Sequence, residues 1–139
     1  MYKFALSLLL LVFFACNEET KPNKTELESM DIEILQIHDE VMPKIGNVLS
    51  LRKKLNALLD STSNSLTKDT LQKMSYQLTK ADADMMSWMR NYKKPEVSDT
   101  ALVYLSQQLS EISMVKKQIN SSIEVAENYL AADGKIQKK

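Results

Sequence analysis

Glycine and cysteine are nearly missing from this 139-residue chain, which carries two glycines, Gly46 and Gly134, and one cysteine, Cys16. A chain built this way has no Gly-rich loop to cradle a phosphate, and a single cysteine forms no internal disulfide. Histidine is as scarce. His38 stands alone, so the pair of Glu-x-x-His motifs of a ferritin-type di-iron centre is excluded, and zinc is left a weak ligand set of His38 with Asp39, Glu40 or Asp82. Excess positive charge is also lacking: 18 Lys and Arg balance 18 Asp and Glu, so no nucleic-acid partner is expected. All three phenylalanines, Phe4, Phe13 and Phe14, sit at the extreme N-terminus, which leaves Leu, Ile, Val, Met, Trp88 and the tyrosines to build a core.

What is present begins with "MYKFALSLLLLVFFAC", one lysine followed by an apolar run from Phe4 to Ala15 that stops at Cys16. About 20 apolar residues are needed to span a bilayer as a helix, so this run reads as the core of an export signal. The ending "FFAC" resembles a bacterial lipobox, although Phe13 and Phe14 stand where Leu and then Ser or Ala are commoner. A lipoprotein cleaved before Cys16 and a plain secretory leader with an incidental cysteine are both open. The place of Cys16 at the end of the run, with no other cysteine to pair with, favours lipidation of Cys16 and a membrane as the chain's first partner. Residues 1–15 are then a lipoprotein signal peptide, and their removal takes one lysine and no acid, leaving a net charge of minus one. Residues 16–25 form a polar tether, in which Glu18 and Glu19 resemble the surface-export signals of some Bacteroidota lipoproteins. The expected address is the bacterial cell envelope, periplasm-facing or surface-exposed, on the outer membrane.

Residues 26–139 read as one helical domain, because apolar residues recur at three-and-four spacing. The first segment, about 26–60, has the seam Leu27, Met30, Ile34, Ile37, Val41, Val48, Leu51, Leu55 and Leu58, interrupted at Lys44. The second, about 67–92, runs Leu71, Met74, Leu78, Ala81, Met85, Trp88 and Tyr92 without a break. The third, about 98–132, runs Leu102, Leu105, Leu109, Ile112, Ile119, Ile123, Ala126 and Leu130, interrupted at Lys116. The connectors "DSTSNSLT" and "KKPEVSD" are short and rich in turn and cap residues, with Ser98 or Asp99 suited to an N-cap. Short connectors make consecutive helices antiparallel neighbours. The fold class is therefore all-α: an antiparallel up-down-up three-helix bundle with coiled-coil-like seams, behind a signal peptide and tether.

Register follows from the same seams. In the first pair Leu58 sets against Leu71, Leu51 against Leu78, Val41 against Trp88 and Ile37 against Tyr92. In the second pair Trp88 sets against Leu102, Met85 against Leu105 and Leu78 against Ile112, with Pro95 at the turn. Pro43 removes an amide that would bond Asp39 and is expected to kink the first helix, with Gly46 three residues on. This irregularity is either tolerated or shapes a local site opposite Met85.

One set of residues carries candidate chemistry. His38 and Met42 are four apart in the first helix, Met86 and Met89 three apart in the second, and the register brings His38 toward Met89. Imidazole with thioethers is a soft ligand set suited to Cu(I) or Ag(I) and unsuited to Mg²⁺ or Ca²⁺. The competing reading is plain packing, with methionine filling irregular gaps in a bundle short of phenylalanine. No nucleophile stands beside an evident base and no basic cluster suits phosphoryl transfer, so no enzyme is expected. Asp82 and Asp84 face different ways and read as solvated, while Arg90, Lys93 and Lys94 suit the C-terminal end of the second helix.

The stretches "IHDEVMPKIGNVLSLRKKL" and "ADADMMSWMRNYKKP" resemble a family of small helical Bacteroidota lipoproteins that often carry the automatic label viral A-type inclusion protein. The resemblance spans about residues 26–100. It implies an envelope lipoprotein and transfers no functional residue. The expected function is a lipid-anchored binding or interaction module, with an envelope protein as its second partner; the alternative is a soft-metal lipoprotein using His38, Met42, Met86 and Met89.

Overall fold

The computed structural model describes residues 23–136, so the leader, Cys16 and most of the tether lie outside the described residues. Helix α1 spans Lys24–Val41, a 3₁₀ turn spans Met42–Lys44, and α2 spans Ile45–Ser61; α3 spans Ser65–Asn91 and α4 spans Ala101–Ile136. These make three rods, because α1 and α2 follow one another through the 3₁₀ turn with helical backbone throughout. The architecture is the all-α up-down-up bundle that the seams imply.

Local chemistry explains the boundaries. The Asn23 side chain accepts from the Thr25 amide at 3.1 Å and the Asn64 side chain from the Thr67 amide at 3.0 Å, so both helices start on an Asx cap that satisfies an otherwise orphaned donor. The first connector shrinks to three residues, 62–64. Helix α3 stops where Tyr92 turns to extended backbone, three residues ahead of Pro95. Ala101 and Tyr104 amides bond to the Ser98 and Thr100 carbonyls, which places the start of α4 one or two residues later than Asp99 or Ser98 as the cap would suggest.

Pro43 breaks the rod where expected, and the break changes the rod's neighbour: α1 packs chiefly against α4, while α2 packs chiefly against α3. Through the tighter 3₁₀ turn, Ile45 becomes the buried residue between Val41 and Val48, so the apparent gap at Lys44 closes. The gap at Lys116 closes too. On α4 the buried stripe is Ala101, Leu105, Gln108, Ile112, Val115, Ile119, Ser122 and Ala126; Leu105, Ile112, Ile119 and Ala126 are as expected, while Ala101, Gln108 and Ser122 replace the neighbouring Leu102, Leu109 and Ile123, which are only half-buried. Leucine and isoleucine signal burial strongly, yet this helix turns Gln108 and Ser122 inward, where Gln108 donates to Glu111 and Ser122 to the Ile119 carbonyl.

Between the first rod and α3 the register holds, since Ser75 of α3 donates to Asn56 of α2 at 2.8 Å and His38 of α1 meets Met89, each within two positions of expectation. The α3–α4 register is different. Tyr92 stacks on Tyr104 at 6.4 Å, where a register centred on Pro95 would set it beside Ser98, so α4 is displaced by six residues, about 9 Å. The first rod and α4 run parallel: Lys116 reaches Glu40 at 2.6 Å and Lys44 reaches Asn120 at 2.8 Å, the same offset of 76, where the expected registers imply 61.

Candidate functional site

Because α1 leans toward α4, long side chains bridge the space between α1 and the end of α3. The bridge is an aromatic ladder. Tyr104 stacks on Tyr92, Tyr92 on Trp88 at 4.9 Å, and Trp88 lies 6.0 Å from the His38 ring. Stacking at α3 positions 88 and 92 follows from their four-residue spacing on one face. The Tyr104 hydroxyl accepts from the Lys93 amide at 3.0 Å and fastens the α3–α4 connector to the ladder.

Beside Tyr92, an inner rung of the ladder, stands Asp31, whose side chain is 6% exposed. The Tyr92 hydroxyl donates to one carboxylate oxygen and the Lys94 ammonium lies 2.7 Å from the other. Burial alone would raise this carboxyl, but hydrogen bonds from Lys94 and Tyr92 and the lysine's charge outweigh it and hold it below its ordinary value. Burial and the adjacent carboxylate push the Tyr92 phenol up, and the Asp31 hydrogen bond and charge push Lys94 up. Lys94 therefore does not serve the C-terminal end of α3, which closes at Asn91; it closes the bundle against α1. The signal for Asp31 was its spacing, since Leu27, Asp31 and Ile34 step by four and three and a carboxylate there must find a partner.

At the His38 end of the ladder lies the predicted soft-ligand set. The structure brings His38 and Met89 together, with Nε2 3.0 Å from Sδ, and His38 Nδ1 stands 2.9 Å from the Asp39 carboxylate. A carboxylate and a thioether only accept, so both contacts are hydrogen bonds when both ring nitrogens carry protons. Met42 and Met86 are half-buried against the apolar core. Among the described residues no three His, Cys, Asp or Glu side chains converge. Asp84 departs from expectation by pairing with Lys80 at 2.5 Å, a contact that raises the lysine through its hydrogen bond.

Beside the ladder, α3 and α4 flank a surface groove of about 910 Å³, lined by Tyr76, Lys80, Asp84 and Trp88 on one side and by Glu111, Met114 and Val125 on the other. Tyr76, Met114 and Val125 are exposed, while Val115 and Ser122 are buried beneath them. Trp88 joins ladder and groove: the residue is 6% exposed and its indole nitrogen is buried with no hydrogen-bond partner among the described residues. An unmade bond of this kind costs about 1–3 kcal/mol, so it marks a place where an acceptor is wanted. Sequence reasoning assigned Trp88 to the seam and missed the groove, because Tyr76, Met114 and Val125 fall outside every seam.

Fold and site together define a class: a three-helix bundle without strands among its described residues, closed by an aromatic ladder and open along one apolar groove. Compared with family models, curated proteins and solved structures, the chain matches none.

Proposed function

We propose that this chain is a lipid-anchored module of the bacterial cell envelope, attached through Cys16, that binds a protein partner in the α3–α4 groove and performs no catalysis. The observation that carries the reading is the groove itself: exposed Tyr76, Met114 and Val125 around a buried Trp88 whose N–H finds no acceptor among the described residues. Apolar side chains clustered in a concavity with a polar rim are the usual marks of a recognition surface. The charged rim, with Lys80, Asp84 and Glu111, gives a partner register, and no helix among the described residues is long and apolar enough to cross a membrane. The envelope assignment rests on the leader and on Cys16, both outside the described residues.

A photoreactive residue at Met114 in the exported full chain tests the groove, with the same residue at Lys54 as control. The expected result is an adduct dependent on position 114; no adduct at 114 or 125 would sink the reading. Intact mature protein is expected to carry acyl mass on Cys16, and Cys16→Ala to lose stable membrane association.

The second reading is soft-metal binding, favoured by the 3.0 Å approach of His38 Nε2 to Met89 Sδ. A Cu(I) ion there would displace the Nε2 proton and draw on His38 and Met89, with Met42 and Met86 as further thioethers after repacking. Titration with Cu(I) and Ag(I), beside His38→Ala and Met89→Leu variants, decides it. Affinity weaker than micromolar, or unchanged in the variants, rules the site out.

A further inference from the structure

Helix α4 has a symmetry that runs from Met114 and Val125, in the groove, back to Val103 beyond it. Val103, Met114 and Val125 are 70%, 59% and 45% exposed, although all three are apolar. They are spaced by eleven residues, close to three helical turns, so they lie along one face of α4. Arranged about Met114, the rest of that face is complementary to itself under reversal. Glu111 lies three residues before Met114 and Lys117 three after; Ser110 and Gln118 lie four to either side, Gln107 and Ser121 seven, Val103 and Val125 eleven.

From this pattern we infer that the occupant of the groove is a second copy of this chain, docked with its α4 antiparallel to the first about a two-fold axis at Met114. The inference rests on the groove being a binding surface, as proposed above. Antiparallel docking sets Val103 on Val125 of the second copy, Met114 on its own twin, and Glu111 on Lys117 of the second copy, twice over. Among the described residues Lys117 has no ion-pair partner, and Glu111 accepts only from Gln107 and Gln108. Parallel docking would set Lys117 on Lys117 and Glu111 on Glu111, which repel. A two-fold interface needs one patch that complements itself, and this helix face meets that condition.

The dimension is also suitable. Val103 to Val125 covers about 33 Å of helix, and seating that length between two helices buries on the order of 700 Å² per partner, near the roughly 800 Å² of specific interfaces. Tyr76, on α3, supplies exposed apolar surface beside the seated helix. The two α1 starts then emerge from opposite ends of the dimer, so acyl groups on both Cys16 residues would hold it lengthwise along a bilayer.

The test uses the full lipidated chain in detergent. Sedimentation equilibrium is expected to show a monomer–dimer equilibrium. Lys117→Glu, which opposes Glu111 to a new acid, is expected to weaken it about tenfold or more, and the double exchange Glu111→Lys with Lys117→Glu to restore it within about threefold. Circular dichroism checks that each variant stays helical. In parallel, a short thiol cross-linker is expected to link Met114→Cys chains into dimers and Val103→Cys to Val125→Cys chains, but not Val103→Cys chains to one another; the parent chain, with Cys16 alone, is the control. Self-linking of Val103→Cys, or failure of the exchange to rescue, overturns the antiparallel dimer. A chain that stays monomeric at 100 µM while its position 114 captures another envelope protein overturns the dimer and leaves the groove reading standing.

Discussion

Asp31 in an isolated α1 would be an ordinary solvated carboxylate. In the bundle it is buried with two donors, Tyr92 and Lys94, that come from the far end of α3 and the connector beyond it. Its charged form is favoured by the fold, so its contribution to stability is present above the unfolded value near pH 4 and is lost as pH falls through the lower folded value. Tyr92 and Lys94 are raised, so their contribution holds below about pH 10 and is lost as pH rises past their folded values. Asp31→Asn is therefore expected to lower stability by about 1–3 kcal/mol in urea at pH 7, by a margin that narrows below about pH 4. Urea midpoints followed across pH check this, and an Asn variant as stable as the parent at pH 7 would contradict it.

At the scale of the element, the first rod is where irregularity and function separate. Pro43 does shape the structure, since the 3₁₀ turn it opens passes the rod from α4 to α3. Gly46 does not. It has no positive φ, and a methyl group added there would meet nothing within 4 Å. Gly46→Ala is expected to stabilise the chain by about 0.5–1 kcal/mol, because alanine loses less freedom in a helix interior, and thermal unfolding should move upward by a few degrees. Asn64→Ala should act the other way, costing about 1 kcal/mol by leaving the α3 N-terminus uncapped. The seam of α3 was legible throughout, with Leu71 to Trp88 all buried, because it faces both other rods and its apolar residues have one arrangement that serves them. The seam of α4 was legible at Leu105, Ile112, Ile119 and Ala126 and off by one residue at the positions between them. Its half-buried leucines compete with Gln108 and Ser122, and no propensity separates a shift that small.

Across the whole molecule, one continuous core joins all three rods, with Val41, Leu55, Leu78, Met85 and Ile112 sealed from solvent. A core shared this way should unfold in a single cooperative step. Met85→Ala, at the level where all rods meet, is expected to cost about 2–5 kcal/mol, and the loss should be the same by Trp88 fluorescence and by far-ultraviolet circular dichroism. Divergence of the two probes would show that the ladder end melts separately. The His38–Met89 approach was legible because it depends on the α1–α3 register alone, which two seams and a short connector fix. The groove was not, since its exposed apolar lining, Tyr76, Met114 and Val125, lies outside the seams and comes from two helices.

Sequence by itself determined the helices, their order and direction, the buried face of α3 and the meeting of His38 with Met89. Those follow from periodicity, caps and short connectors, which act within one helix or between neighbours in the chain. Tertiary structure alone decided the slide of α4, the burial of Asp31 beneath Lys94, the aromatic ladder and the open groove. Each of these depends on how three rods share one interior, and a slide of α4 along α3 leaves the periodicity within each helix unchanged while changing which residues meet.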